Sequence, residues 1–164
     1  MRVGFRRVSA RDLKRLNEIV NDPAVARFIN LIPPVSMEST RDFFLECRRK
    51  KSLWYCVVVD GTIAGSVHLA PRTKNGKMAH VAEFGISLAK EYWGMGLGGR
   101  AIGFIVEEAR KRRLKRIEFW VVADNMRARG LYKRKGFVEE GRNKKSFIID
   151  GKYHDTIMMA RLLK

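Results

Sequence analysis

The chain has 164 residues, enough for one domain with a real core and too few for two of ordinary size. Its 46% hydrophobic and 31% charged content excludes an intrinsically disordered chain. Lys and Arg outnumber Asp and Glu by 34 to 17, a formal charge of +17, which points to polyanionic partners such as nucleic acid, a ribosomal surface or a phosphorylated cofactor.

The basic start, MRVGFRRVSARDLKRL, lacks the apolar stretch of a signal peptide. Val3 to Val8 reads as a short strand. Ser9, with Asp12 three residues on, caps a helix in which Leu13, Leu16, Ile19 and Val20 recur at helical spacing. That pattern stops at Asn21-Asp22-Pro23. After Pro33-Pro34, Ser36 caps a second helix carrying Phe43, Phe44 and Cys47. Leu53 to Val59 is a strand, far too short to span a bilayer, Asp60-Gly61 a hairpin turn, and Thr62 to Leu69 its partner. Cys47 and Cys56 have neither metal nor redox spacing, so a reducing compartment, the cytoplasm, is expected and a membrane is not.

Lys74-Asn75-Gly76-Lys77 reads as a turn into a strand from about Met78 to Leu88, where Ala82, Phe84, Ile86 and Leu88 alternate with Val81, Glu83, Gly85 and Ser87. Four glycines (Gly94, Gly96, Gly98, Gly99) then lead into a helix from about Gly99 to Arg113. Arg116 to Ala123 is a strand. Asp124 or Asn125 caps a helix ended by Gly136, and Val138 to Ile149 with Tyr153 to Leu162 close the chain as an antiparallel pair. No repeat or low-complexity linker interrupts this order, so one domain over 1–164 is expected: a mixed α/β sheet, β-α-α-β-β-β-α-β-α-β-β. His68, His80 and His154 are scattered without metal spacing, and no metal site is expected.

A glycine loop at a helix N-terminus is an anion cradle, because bare N–H groups and the positive end of the helix dipole meet there. A magnesium-dependent phosphate loop needs Gly-Lys-Ser/Thr at its end, whereas here Gly99 is followed by Arg100-Ala101. Gly94-x-Gly96-x-x-Gly99 satisfies the dinucleotide fingerprint literally, yet that fingerprint belongs to the first turn of a parallel βαβ array. Here it follows an antiparallel meander and precedes a terminal hairpin.

The segment EFGISLAKEYWGMGLGGRA, Glu83 to Ala101, instead resembles the acyl-CoA loop of the GNAT superfamily of N-acyltransferases. The motif is Trp93-Gly94-Met95-Gly96-Leu97-Gly98, with Trp93 where relatives carry Gln or Arg. A second segment, ADNMRARGLYKRKGF from Ala123 to Phe137, resembles the family's Asn-x-x-Ala-x-x-Leu-Tyr-x-x-x-Gly-Phe signature from Asn125 onward. With NDPAVARF near the N-terminus, the resemblance covers most of the chain and leans toward the subgroup that acetylates protein N-termini, including those of ribosomal proteins.

The resemblance implies a mostly antiparallel sheet with one parallel pair at the cofactor cleft, acetyl-CoA as donor, and an amine acceptor. It implies that Met95, Gly96, Leu97, Gly98 and Gly99 close on the pyrophosphate. Arg100, a cation where the helix dipole disfavours one, is assigned to CoA phosphate. Lys133 lies toward the adenosine end, Asn125 opens the second motif, and Phe84, Gly85 and Ile86 form the strand beside the pantetheine arm. Gly85 in mid-strand suits close backbone approach. Tyr132 is the candidate acid for the CoA sulfur.

For the base, Glu83 lies on the opposite strand face from Phe84 and Ile86. Glu118 lies on the next strand, on the face of Trp120, where some relatives that modify N-termini place a Glu. His80 and a water chain are the remaining alternatives. The basic run Arg110 to Arg116 fits a helix C-terminus or a polyanion contact, the ribosome included. The expected activity is acetylation of a protein N-terminus or lysine, by a monomer or homodimer. The alternatives are a small amine such as a polyamine or amino sugar, and a non-enzymatic nucleic-acid-binding module on the same fold.

Overall fold

The computed structural model of the chain describes residues 1–73 and 75–164, so Lys74, the first residue of the expected turn, lies outside the described residues. Among the described residues seven strands form one sheet in the order β1-β2-β3-β4-β5-β7-β6. They are β1 (Val3–Arg7), β2 (Leu53–Val59), β3 (Thr62–Pro71), β4 (Val81–Leu88), β5 (Arg116–Val122), β6 (Val138–Ile149) and β7 (Lys152–Leu162). The pairings β1–β2, β2–β3, β5–β7 and β6–β7 are antiparallel, and β4–β5 is parallel. The expected fold class, a mixed α/β sheet with one parallel pair, is the fold observed.

Internal contacts group the chain into two compact units, Met1–Ala70 with Gly85–Ile105, and Pro71–Phe84 with Val106–Lys164. The first holds β1, β2, most of β3, α1 (Leu13–Asn21), α2 (Pro23–Ala26) and α3 (Met37–Lys50). Helix α1 buries Leu13, Leu16 and Ile19, the stripe that the sequence marks. Its entry is fixed by Asp12, whose carboxylate takes the Ser9 N–H and hydroxyl and a two-pronged bond from Arg6 at 2.7 and 2.8 Å. That guanidinium holds the Asp12 carboxyl well below the usual range. The short α2 is an element the sequence reading passed over. Asp22 accepts from Ala24 N–H and Pro23 opens the helix, so the residues read as a stop for α1 also start the next turn. Phe43, one of the apolar residues that the expected second helix carries, is 38% exposed. Burial pushes the Cys47 thiol up to about 11 and the Cys56 thiol up to about 12, so both stay protonated core residues.

The second unit holds β5, β6, β7, α5 (Met126–Arg134) and the start of β4. Asn125 caps α5 by accepting from Ala128 N–H at 3.1 Å, and Gly136, at φ +80°, ends the turn beyond it. Helix α4 (Leu97–Lys111) begins two residues before the expected Gly99, because Gly96 at φ +76° completes the loop and Arg100 N–H already donates to Gly96 C=O. Strand β4 begins at Val81 rather than Met78, since Ala79 and Val81 donate back into a turn at Gly76 and Met78.

Candidate active site

In the first unit the glycine loop is held from both ends. Leu97 is 1% exposed and packs with Val59 and Ala64. Trp93, which stands where the family motif has Gln or Arg, donates its indole N–H to Leu88 C=O at 2.8 Å, tying the loop to the end of β4. Gly94 and Gly96 sit at φ +85° and +76°, a region that L side chains avoid. Because the first helical bond runs from Arg100 to Gly96, the N–H groups of Leu97, Gly98 and Gly99 have no acceptor within the helix. A Cβ built on Gly96 or on Gly85 meets nothing within 4 Å, so both backbones face open space. Met95 and Arg100 are exposed, and Ile86 is half-buried. An open loop of backbone donors, a positive helix end and an exposed guanidinium fit a pyrophosphate. They are the residues that would hold the CoA moiety.

In the second unit two groups of candidates lie on opposite faces of β4 and β5. One face carries an aromatic cluster. Tyr132, 8% exposed, meets Phe119 at 4.5 Å and Phe84 at 6.1 Å between ring centroids, with Phe137 closing the set. Burial pushes the Tyr132 phenol up, so it keeps its proton throughout the working range. Phe119 was not singled out in the sequence, although its spacing with Phe84 on neighbouring strands was a usable signal.

The other face carries charge. Glu83 and Glu118 pair in register across the parallel ladder; Glu83 accepts from Arg72 Nε at 3.0 Å, and the same guanidinium is ion-paired with Glu118, its Nε 3.2 Å from one carboxylate oxygen. The second oxygen of Glu118 takes Arg116 Nε at 2.6 Å, and Arg116 turns its terminal nitrogens to Glu140. The Glu118 side chain is therefore buried and fully engaged, whereas Glu83 is 57% exposed. Trp120, on the same strand face, is 47% exposed.

Lys133 is ion-paired with Glu139 at 3.1 Å, and Asn125 spends its side-chain oxygen on the α5 cap. His154, read as scattered, is paired through Nδ1 with Asp124 at 2.6 Å. In the basic run, Arg110, Lys111 and Arg116 bind Glu107, Glu108 and the Glu118–Glu140 pair. Among the described residues no His, Cys, Asp or Glu group has the arrangement of a metal site, and no helix is long and apolar enough to cross a membrane.

The family model described as the Acetyltransferase (GNAT) family matches residues 14–137. An L-amino acid N-acetyltransferase of Escherichia coli K12 is 28% identical over 96% of this chain and 96% of its own. A ribosomal-protein-alanine N-acetyltransferase structure from Brucella melitensis shares the fold at TM-score 0.88 and 24% identity, covering 98% of this chain and 99% of that one. A spermidine N-acetyltransferase from Vibrio cholerae, in complex with CoA and spermine, does so at TM-score 0.88 and 24% identity, over 98% and 95%. The chain belongs to the GNAT family and is an acetyl-CoA-dependent N-acetyltransferase.

Proposed function

We propose that the acceptor is the α-amine of a peptide or protein N-terminus, with the free amino acid α-amine as its nearest chemical neighbour. The observation that carries this is the charge balance, 34 basic against 17 acidic residues, which disfavours a polycation such as spermidine through long-range repulsion. The names of the E. coli and Brucella relatives support it, since both describe an amine next to a carbonyl. The Vibrio relative is the reason to test polyamines directly.

The donor contributes a thioester-activated acetyl group. The N–H groups of Met95 to Gly99 and the Arg100 guanidinium hold its phosphates. With the donor bound, the Phe84–Ile86 backbone would line the pantetheine arm and supply the N–H groups that polarise the thioester carbonyl, and Asn125 and Lys133 would contribute toward its far end. Glu83 removes the proton from the acceptor ammonium, and Tyr132 holds the proton that the departing sulfur takes. Glu118, with both oxygens already on guanidinium groups, is a support rather than the base. The surplus of basic side chains gives this enzyme an affinity for anionic surroundings, the ribosome among them.

Thiol release is measured across unblocked peptides, N-blocked lysine peptides, free amino acids, spermidine and glucosamine. Turnover is expected with unblocked peptides first and free amino acids second. Faster kcat/KM with spermidine or with N-blocked lysine peptides overturns the α-amine assignment.

A further inference from the structure

We infer that Arg72 is a positioning residue for the reaction. It holds Glu83 in one orientation and separates its charge from that of Glu118. The inference rests on the reading of Glu83 as the proton acceptor.

Glu83 and Glu118 are placed at one register of the parallel ladder. Neighbouring strands lie about 4.8 Å apart, and like charges directly opposed in a sheet repel. Arg72 Nε stands between the carboxylates, 3.0 Å from one Glu83 oxygen and 3.2 Å from one Glu118 oxygen. Its own backbone is fixed, because its N–H donates to Val81 C=O at 2.9 Å, two residues before Glu83. Arg116 cannot take its place, since its Nε is on the other Glu118 oxygen and its terminal nitrogens are on Glu140. The charged groups linked to Glu83 are thus Arg72, just beyond the end of β3, and through it Glu118 and Arg116 of β5 and Glu140 of β6.

The result is a division of labour between two neighbouring acids. Glu118 is buried under two guanidinium groups, while Glu83 touches Arg72 through one oxygen and keeps 57% of its side chain exposed. The exposed Arg72–Glu83 pair contributes little to folding by itself. Its consequence is geometric: Glu83 is pinned without being covered. Removing Arg72 leaves Glu83 free to swing and confronts it with an adjacent negative charge.

The test measures kcat and KM for acetyl-CoA and for the best peptide acceptor in R72A, R72Q, R72K, E83Q and R72A/E118Q. We expect E83Q to lose about 100-fold or more in kcat. R72A and R72Q should each lose about tenfold or more with acetyl-CoA KM unchanged. R72K should restore part of the loss, because it returns the charge without the planar guanidinium. R72A/E118Q should be faster than R72A, since the opposing charge is gone, a rescue that a merely structural arginine would not show. R72Q is read in the same way where R72A does not fold. Wild-type kcat in R72Q with E83Q inactive overturns the role of Arg72 and leaves the base standing. Absence of rescue in the double variant overturns the charge separation, and wild-type kcat in E83Q overturns the base and this inference together.

Discussion

The ring of Tyr132 meets that of Phe119 edge-on, with centroids 4.5 Å apart and planes at 61°. This contact fixes the direction of a phenol that the sequence places only on the inner stripe of a helix. Because ring packing holds Tyr132 in place, its hydroxyl can be removed without disturbing the cluster. Tyr132→Phe is expected to lower kcat by about 100-fold while the melting temperature and the acetyl-CoA KM stay close to wild type. An unchanged kcat removes Tyr132 from the chemistry and leaves it as core.

The loop prediction concerns Arg100, exposed one residue beyond the glycines. If its guanidinium meets CoA phosphate, Arg100→Ala raises the acetyl-CoA KM by about tenfold, the loss of one charge-assisted contact at a solvated site. The same variant leaves the acceptor KM unchanged. Isothermal titration with CoA gives the same answer without turnover, and an unaltered Kd counts against the contact.

Gly65 supplies a prediction about stability alone. A Cβ there would come 2.1 Å from Ser87 C=O and 2.8 Å from Leu88 Cα, both backbone atoms of the first unit. Neither is the end of a flexible side chain, so strands must part to admit a methyl group. Gly65→Ala is expected to cost about 3 kcal/mol or more, read as a lowered urea midpoint. A change below about 1 kcal/mol would show that the strands shift easily.

His68 gives the pH dependence. Burial pushes its pKa down to about 4, with Phe43 edge-on to the ring at 5.1 Å. The unfolded chain takes up this proton near pH 6.5 and the folded chain only near pH 4. Its contribution is therefore fully present above about pH 6.5 and is lost progressively as the pH falls through that window, by at most about 3 kcal/mol. Denaturant midpoints measured from pH 7 to pH 4 should fall more steeply for wild type than for His68→Gln, and parallel curves would contradict the assignment.

Much of this fold was legible because local chemistry decides it. The Ser9–Asp12 pair announces α1, Asn125 and Gly136 bracket α5, and the alternation through Val81–Leu88 assigns Glu83 and Phe84 to opposite faces. The elements that went astray are those where short-range signals serve two purposes. Pro23 both stops one helix and starts another, and Gly99 looks like the helix start only until Gly96 is seen to accept the first helical bond.

The sequence by itself determined the glycine loop, the caps, the inward helix stripe and the resemblance that names the chemistry, because each depends on residues within a few positions of one another. Tertiary structure alone decided that Glu83 faces Glu118, that Arg72 joins them, and that Phe119 rather than Phe84 is the nearer wall of Tyr132. The physical reason is register. Which residue opposes which across two parallel strands is set by the packing of everything between them, and a shift of one position would exchange the charged face for the aromatic one.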